Sequence, residues 1–221
     1  ESADDLILAG AAGLTVAGTT TLNGDITVSS ATPLIYFIDT TSGGDTYKTK
    51  IGMVDDEFRI AVNDGAINAI KCNGDGSVVM NLQPAFSAYN NGSQDNKTGD
   101  DALYVVLFDT ERFDQGGDFA SSTFTAPQAG KYLLSAHIGL TGFTTSSTYS
   151  NMYLVTSNDT YSEFAGTEVA NNQFFSFSLV ADMDASDTAV VKINSGGEGS
   201  KVVDVADGAD GVCFFSGCLL A

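Results

Sequence analysis

Apolar residues along this chain recur with a period of two, the spacing of strands that turn one face inward. Across residues 174–180, Phe175, Phe177 and Leu179 form a row while Ser176 and Ser178 lie opposite. Residues 189–193 set Val191 and Ile193 against Lys192, and residues 57–62 set Phe58, Ile60 and Val62 against Glu57, Arg59 and Ala61. About eight such segments follow residue 83, separated by Gly, Asp and Asn, and no stretch sustains a helical period. The pattern predicts an all-β chain ending in a sandwich.

Three textures divide the sequence at residues 1–32, 33–82 and 83–221. The first holds short β-prone pieces, Leu6-Ile7-Leu8, Leu14-Thr15-Val16, Thr20-Thr21-Leu22 and Ile26-Thr27-Val28, between Gly10, Gly13, Gly18 and the Asn23-Gly24-Asp25 turn. Pieces this short bury nothing alone, so they draw stability from stacked repeats or from identical chains wound about one axis. A flexible Gly/Thr linker is the alternative, and it has no need of recurring leucine and branched positions.

The second region predicts a small β-module. Strands are expected at 34–39, 47–54 and 57–62, with turns at Asp55-Asp56 and Asn63-Asp64-Gly65, and a short strand at 77–80 after the turn at 73–76. From residue 83 the strands are denser. Residues 103–108, 132–134 and 212–215 are apolar on both alternating faces, so something must cover the second face. Subunit contacts, a covering loop or a wholly internal strand would each serve, and subunit contacts are the economical choice.

Composition narrows the partners. The chain has 43% hydrophobic residues with 14 Phe and 8 Tyr, enough for a real core. Lys and Arg total 9 against 28 Asp and Glu, a net charge of -19, which repels phosphate backbones and anionic lipid and excludes nucleic acid as a partner. No apolar run reaches membrane-spanning length, so no membrane insertion is expected. The opening residues Glu1 to Asp5 lack a signal-peptide pattern and read as a fragment start. The sequons at Asn91, Asn96 and Asn158 mark surface positions.

Cys72, Cys213 and Cys218 are an odd set, so at least one thiol stays free or pairs between chains. Cys213 and Cys218 would point to opposite faces of an unbroken strand, so a bond between them needs a bulge or bend, and buried free thiols acting as small hydrophobes are favoured over an inter-chain disulfide.

Residues 85–221 resemble the C1q/TNF-like globular domain. Ala85-Phe86-Ser87-Ala88 looks like its opening strand, Phe119 with Phe124-Thr125-Ala126-Pro127 and Gly130-Lys131-Tyr132 like its central signature, and Phe215-Ser216-Gly217-Cys218-Leu219-Leu220 like its closing strand. The resemblance implies a jelly-roll head that assembles as a homotrimer and binds ligands without catalysis. Phe86, Phe119, Phe124, Tyr132, Phe175, Phe177 and Phe215, with Leu103, Val105, Leu107, Leu219 and Leu220, are then the residues of the core and the trimer contacts. Locally, Pro127 and Gly130 bracket a turn into the Tyr132 strand, Gly217 permits a close backbone approach or a bend, and the last strand is built into the body. Collagen-like repeats are absent, and the Gly-Leu-Thr-Val and Leu-Asn-Gly-Asp-Ile-Thr-Val phrases are similar to bacteriophage fibre shafts. Shaft plus head implies a virion fibre or appendage with capsid or tail components as partners. A secreted recognition or adhesion protein and a purely structural stabiliser are the alternatives.

Candidate chemistry thins out on inspection. His137 is the sole histidine and no Gly-x-Ser-x-Gly turn exists, so a hydrolase triad has no base and no elbow. Acidic pairs such as Asp100-Asp101 and Asp182 with Asp184 do not establish the cleft that glycoside hydrolysis requires. The loop at 204–211 gathers oxygen ligands, making Asp207 and Asp210 calcium candidates, although it lacks an EF-hand pattern. No other cofactor is implied, since zinc spacing and phosphate-binding loops are both missing. Binding is therefore expected at loops 143–149, 157–161 and 194–201, where Tyr149, Asn158 and Tyr161 suit a host-surface glycan or protein.

Overall fold

The computed structural model describes residues 27–39, 47–62, 67–166 and 172–221. Most of the shaft expected over residues 1–32 lies outside the described residues, as does the turn at 63–65, and residues 27–33 carry no strand. The chain divides into two units, Glu1–Val79 and Met80–Ala221.

In the first unit, β1 (Leu34–Asp39), β2 (Tyr47–Val54), β3 (Glu57–Val62), β4 (Ile67–Cys72) and β5 (Val78–Val79) form one antiparallel meander in sequence order. Asp55 and Asp56 both take positive φ, 50° and 63°, the left-handed pair that matches a tight hairpin to strand twist. The turn before β5 closes where Gly76 N–H donates to the Asn73 carbonyl at 2.9 Å. One face of this sheet lines up Ile35, Ile51 and Ile60 by register, with Met53, Phe58, Cys72 and Val78 beside them. The other carries Glu57 between Arg59 and Lys71, at 2.6 and 3.0 Å. Those cations, through their hydrogen bonds, lower the Glu57 pKa. Phe58 and Met53 stay exposed.

β4 is a strand the period-two pattern does not predict. Its pairing with β3 slips between Ile60 and Ala61, so its apolar positions fall out of simple alternation.

The second unit is a two-sheet antiparallel sandwich. Its strands run β6 (Ala85–Tyr89), β7 (Gln94–Thr98), β8 (Tyr104–Val105), β9 (Thr110–Gln115), β10 (Phe119–Ala120), β11 (Thr123–Thr125), β12 (Gly130–Thr141), β13 (Tyr149–Thr156), β14 (Thr160–Gly166), β15 (Gln173–Met183), β16 (Thr188–Gly196), β17 (Val203–Val205) and β18 (Phe214–Leu219). One sheet runs β15-β12-β18-β6-β9, with β17 and β7 continuing from the far end of β12. The other runs β14-β13-β16, extended by β11-β10 at one end of β16 and by β8 at the other. Neighbours distant in sequence, such as β6 beside β18, are the crossovers of a jelly roll.

The expected inward rows pack between these sheets. Tyr132, Leu134, Ala136, Ile138 and Leu140 face Met152, Leu154, Val191 and Ile193, all nearly inaccessible to solvent. Phe86 sits at the aromatic centre, stacked on Phe119 and Phe124 with ring centroids 4.8 and 4.7 Å away and edge-on to Phe215 at 4.9 Å. Phe175 is buried and Phe177 partly so, while Phe174, Ser176, Ser178 and Val180 face outward. The last strand is central in its sheet, and Leu220 N–H donates to the Lys131 carbonyl at 2.8 Å. Gly217 marks a close approach: a methyl there would lie 2.7 Å from Leu134 Cδ2 and 2.8 Å from Phe86 Cε1.

The dense strand expected at 103–108 is cut short to Tyr104–Val105. Side chains from elsewhere take the backbone groups a ladder would use. Gln94 donates to the Leu107 carbonyl at 2.8 Å and accepts from Leu107 N–H at 3.1 Å, and Ser122 Oγ accepts from Phe108 N–H at 2.8 Å. Val106 and Phe108 turn into the core, whereas Leu103, Val105 and Leu107 remain exposed.

Candidate functional site

Two outer surfaces of the sandwich carry unusual residue combinations. The first is the outside of the β15-β12-β18-β6-β9 sheet. Register places Ser178, Ser135, Ser216 and Ser87 in one row across four strands, ending at Phe113 on β9. Ser135 and Ser178 share a hydrogen bond at 3.0 Å. The next row holds Val180, Leu133, Cys218 and Ala85, and the row on the other side holds Ser176, His137, Phe214 and Tyr89. Phe113, Phe174 and Val180 are each more than half exposed. A shallow dimple of about 220 Å³, lined among others by Phe113, Leu133, Ser135, Ser216 and Cys218, lies at the centre. Small side chains make this face flat, and large apolar ones around them are exposed.

His137 belongs to this surface. Its ring stacks between Phe174 and Phe214 with centroids 6.0 Å away on each side, and Nδ1 lies 2.6 Å from Ser176 Oγ. The neighbours are aromatic rings and a hydroxyl, and no carboxylate bonds to the imidazole among the described residues. The arrangement has the packing of a contact residue.

The second surface is the outside of the other sheet, turned away from the first. Asp101, Leu103, Tyr153, Val155, Thr160, Lys192 and Asn194 line an open groove of about 480 Å³. Asp101 Oδ1 accepts from the Tyr149 hydroxyl and, at 3.0 Å, from Asn194 Nδ2. Asn194 Oδ1 in turn accepts from Asn151 Nδ2 at 2.9 Å and from the Tyr153 hydroxyl at 3.3 Å. The Asp101 bond, followed by desolvation, pushes the Tyr149 pKa up to about 12, so the phenol keeps its proton and donates. The Tyr149 ring lies over Gly196, where a methyl would overlap Cε1, and runs nearly parallel to Phe164 at 6.3 Å and 22°.

The three residues expected at binding loops have separate fates. Tyr149 opens β13 and belongs to this groove network. Asn158 sits in the β13–β14 turn, where its Nδ2 donates to Asp187 Oδ2 at 2.8 Å and pins that turn to the start of β16. Tyr161 is on β14, half-buried against the core, with its pKa raised chiefly by burial. Phe164 beside the groove was not singled out by the sequence, and Asp101, Asn194 and Lys192 stood out there only as part of an acidic pair, as the start of the loop expected at 194–201 and as a polar strand position. They come from separate segments, and only strand register unites them.

Leu103 and Val105 flank Asn194 and Lys192 on this second surface, so they stand on the opposite side of the sandwich from the serine row. Leu220 is exposed beyond the end of β18, and Leu219 is buried.

The loop proposed for calcium is a hydrogen-bonded turn. Asp207 Oδ1 accepts from Ala209 N–H at 2.9 Å and Gly92 N–H at 3.1 Å, and these backbone bonds lower its pKa. Asp204 Oδ1 accepts from Asn96 N–H at 2.6 Å. Asp210 joins neither, and no group of three or more His, Cys, Asp or Glu side chains gathers among the described residues. All three cysteines are free thiols, and Cys213 is buried, which raises its pKa to about 11. No helix among the described residues is long and apolar enough to cross a membrane.

No family model matches this chain. No curated protein matches it significantly. Among solved structures it is similar to the globular domain of zebrafish complement 1qA protein, with a TM-score of 0.48 and 18% identity over 63% of this chain and 98% of that one. It is also similar to murine APRIL, with a TM-score of 0.46 and 11% identity at pH 5.0, covering 62% of this chain and 99% of that one. A structure of murine APRIL at pH 8.0 gives 0.44 and 13% over the same shares. The sandwich itself rests on the strand register described above.

Proposed function

We propose that residues 80–221 form the non-enzymatic recognition head of a secreted, extracellular homotrimer, with the serine-row sheet packed around the shared axis. The observation that carries this reading is the flat outer face of β15, β12, β18, β6 and β9, where Phe113, Phe174 and Val180 are exposed. Exposed apolar patches rimmed by polar residues are interaction sites. Identical copies are the economical cover, because closed symmetry uses the same patch on each. Three copies follow from the motifs at Ala85-Phe86-Ser87-Ala88 and Phe215-Ser216-Gly217-Cys218 and the family they resemble. The secreted setting comes from the same resemblance. Assembly leaves the groove of the other sheet facing outward, once per copy, which multiplies weak binding on a repetitive target.

The virion-fibre reading rests on sequence phrases in residues 6–30, nearly all outside the described residues, and no other observation favours it.

Light scattering tests the assembly. The expected mass is three times the 22.9 kDa chain at micromolar and nanomolar concentration. Leu133→Asp puts an unpaired carboxylate into each contact at a cost of about 3–5 kcal/mol per copy and should yield folded single chains. Those single chains should bind a target surface at least about 100-fold more weakly than the trimer. A single-chain mass for the unmodified protein at micromolar concentration overturns the reading.

A further inference from the structure

The groove on the outer β13–β16 surface has the chemistry of a binding site rather than of a structural turn. At its edge Tyr149, bonded to the lining residue Asp101, packs nearly parallel to Phe164, Gly196 leaves room for the Tyr149 ring, and Phe164 is 66% exposed. Exposed parallel rings beside a hydrogen-bonded polar cluster are costly to leave in water without a use. The volume of about 480 Å³ falls within the range of about 300–1,000 Å³ typical of small-ligand sites.

The polar groups are organised and retain capacity. Both bonds to Asp101 fall on Oδ1, leaving Oδ2 to accept, and Lys192 makes no ion pair among the described residues. Asn151 uses its Nδ2 on Asn194 and keeps its own carbonyl oxygen. The groove therefore offers acceptors at Asp101 and Asn151 and a donor at Lys192, beside an apolar ring surface. A ligand that fits must alternate donors and acceptors along one edge and present an apolar C–H face to the rings. A pyranose does both, because each hydroxyl donates and accepts while the axial hydrogens cover one face of the ring.

Charge decides between kinds of saccharide. One carboxylate and one ammonium leave the groove without net charge, and the chain's -19 disfavours an acidic ligand at any distance within screening range. We propose that this groove binds a neutral hexose unit, stacked on Phe164 and Tyr149 and hydrogen-bonded by Asp101, Asn151, Asn194 and Lys192. The proposal rests on the recognition reading above and supplies its ligand class.

Saturation-transfer NMR and calorimetry on the full chain test it, with methyl β-galactoside, methyl α-mannoside and N-acetylglucosamine as probes, and with sialyllactose and an oligolysine peptide as comparisons. At least one neutral probe should bind with a dissociation constant of about 1 mM per site, the scale of a small exposed contact. Phe164→Ala and Asn194→Ala should each weaken that binding about tenfold, the loss of one good contact, with assembly mass unchanged in both and melting temperature unchanged in Phe164→Ala. Gly196→Ala should weaken it as well, by lifting the Tyr149 ring. The proposal fails if no neutral probe binds a folded trimer, if binding is unchanged in Phe164→Ala and Asn194→Ala, or if only sialyllactose or oligolysine binds. A single-chain mass with glycoside binding intact would sink the assembly reading and uphold this site.

Discussion

Phe86 offers the sharpest check on how the head is built. It is 1% exposed and meets Phe119, Phe124 and Phe215 with ring centroids 4.7 to 4.9 Å away. Phe86→Ala removes a buried ring from a core that can relax only in part, at a cost of about 3–5 kcal/mol. Three ring pairs, each worth about 0.5–1.5 kcal/mol beyond area, put the loss toward the top of that range. Gly217→Ala works in the opposite sense, pressing a methyl to 2.8 Å from Phe86 Cε1 and 2.7 Å from Leu134 Cδ2. Overpacking of that kind costs about 1–3 kcal/mol. In the double variant the vacated ring volume relieves the contact with Phe86, so the two losses should sum to less than their separate values by about 1 kcal/mol. Guanidinium unfolding followed by far-ultraviolet circular dichroism, in the Leu133→Asp background, measures all four states without dissociation entering the equilibrium. A loss under about 1 kcal/mol for Phe86→Ala, or strict additivity with Gly217→Ala, would refute the packing described.

Two further outcomes follow from local chemistry. Cys213, with its pKa raised to about 11 by burial, should resist thiol reagents in the native protein near neutral pH and react only on unfolding, which a timed colorimetric thiol assay reads directly. Glu198 accepts from the Ser147 and Thr144 hydroxyls at 2.6 Å each, and these bonds, Ser147 first, lower its pKa. A carboxyl depressed in the folded state contributes stability that is complete above its unfolded pKa and lost as pH falls through the folded value. The stability gap between the unmodified chain and Glu198→Gln should therefore shrink from neutral pH toward about pH 3, and a gap that widens on acidification would contradict the assignment.

Legibility in the sequence tracked how local the determining physics was. The row of Phe175, Phe177 and Leu179 opposite Ser176 and Ser178 is a property of consecutive residues, and β15 follows it. The Asp55-Asp56 turn is equally local. Residues 103–108 looked like a dense strand because their own composition is strand-like, yet Gln94 and Ser122 claim the backbone at Leu107 and Phe108. That interception is invisible to any window along the chain. Asp101, Tyr149 and Asn194 meet only because β13 pairs with β16 in one register, Tyr149 opposite Gly196 and Asn151 opposite Asn194. Tyr161 read as a loop residue because Asn158 and Asp159 signal a turn. That turn closes already where Thr156 N–H donates to the Asp159 carbonyl at 2.8 Å, so the next residues belong to β14.

The proposed trimer would bring together strongly like-charged chains, each carrying -19. The serine-row face resolves the conflict by composition. Across the rows that contain Leu133, Ser135 and His137, the residues on β15, β12, β18 and β6 include no Asp or Glu; at the β15 edge Glu163 is held by the Ser176 N–H at 3.1 Å, and Asp182 is paired with Lys131. In the proposed trimer the contact would then be apolar, while the repulsion would act between acids spread over the rest of each copy, through water. Repulsion of that kind is screened, with a Debye length that falls from about 30 Å at 0.01 M salt to about 3 Å at 1 M. Added salt should therefore tighten the assembly, shifting the dissociation midpoint in light scattering to lower protein concentration. Ion pairs across the contact would give the opposite trend. If salt loosens the trimer, charged groups rather than the serine-row face hold it together, and the axis must be sought on another surface.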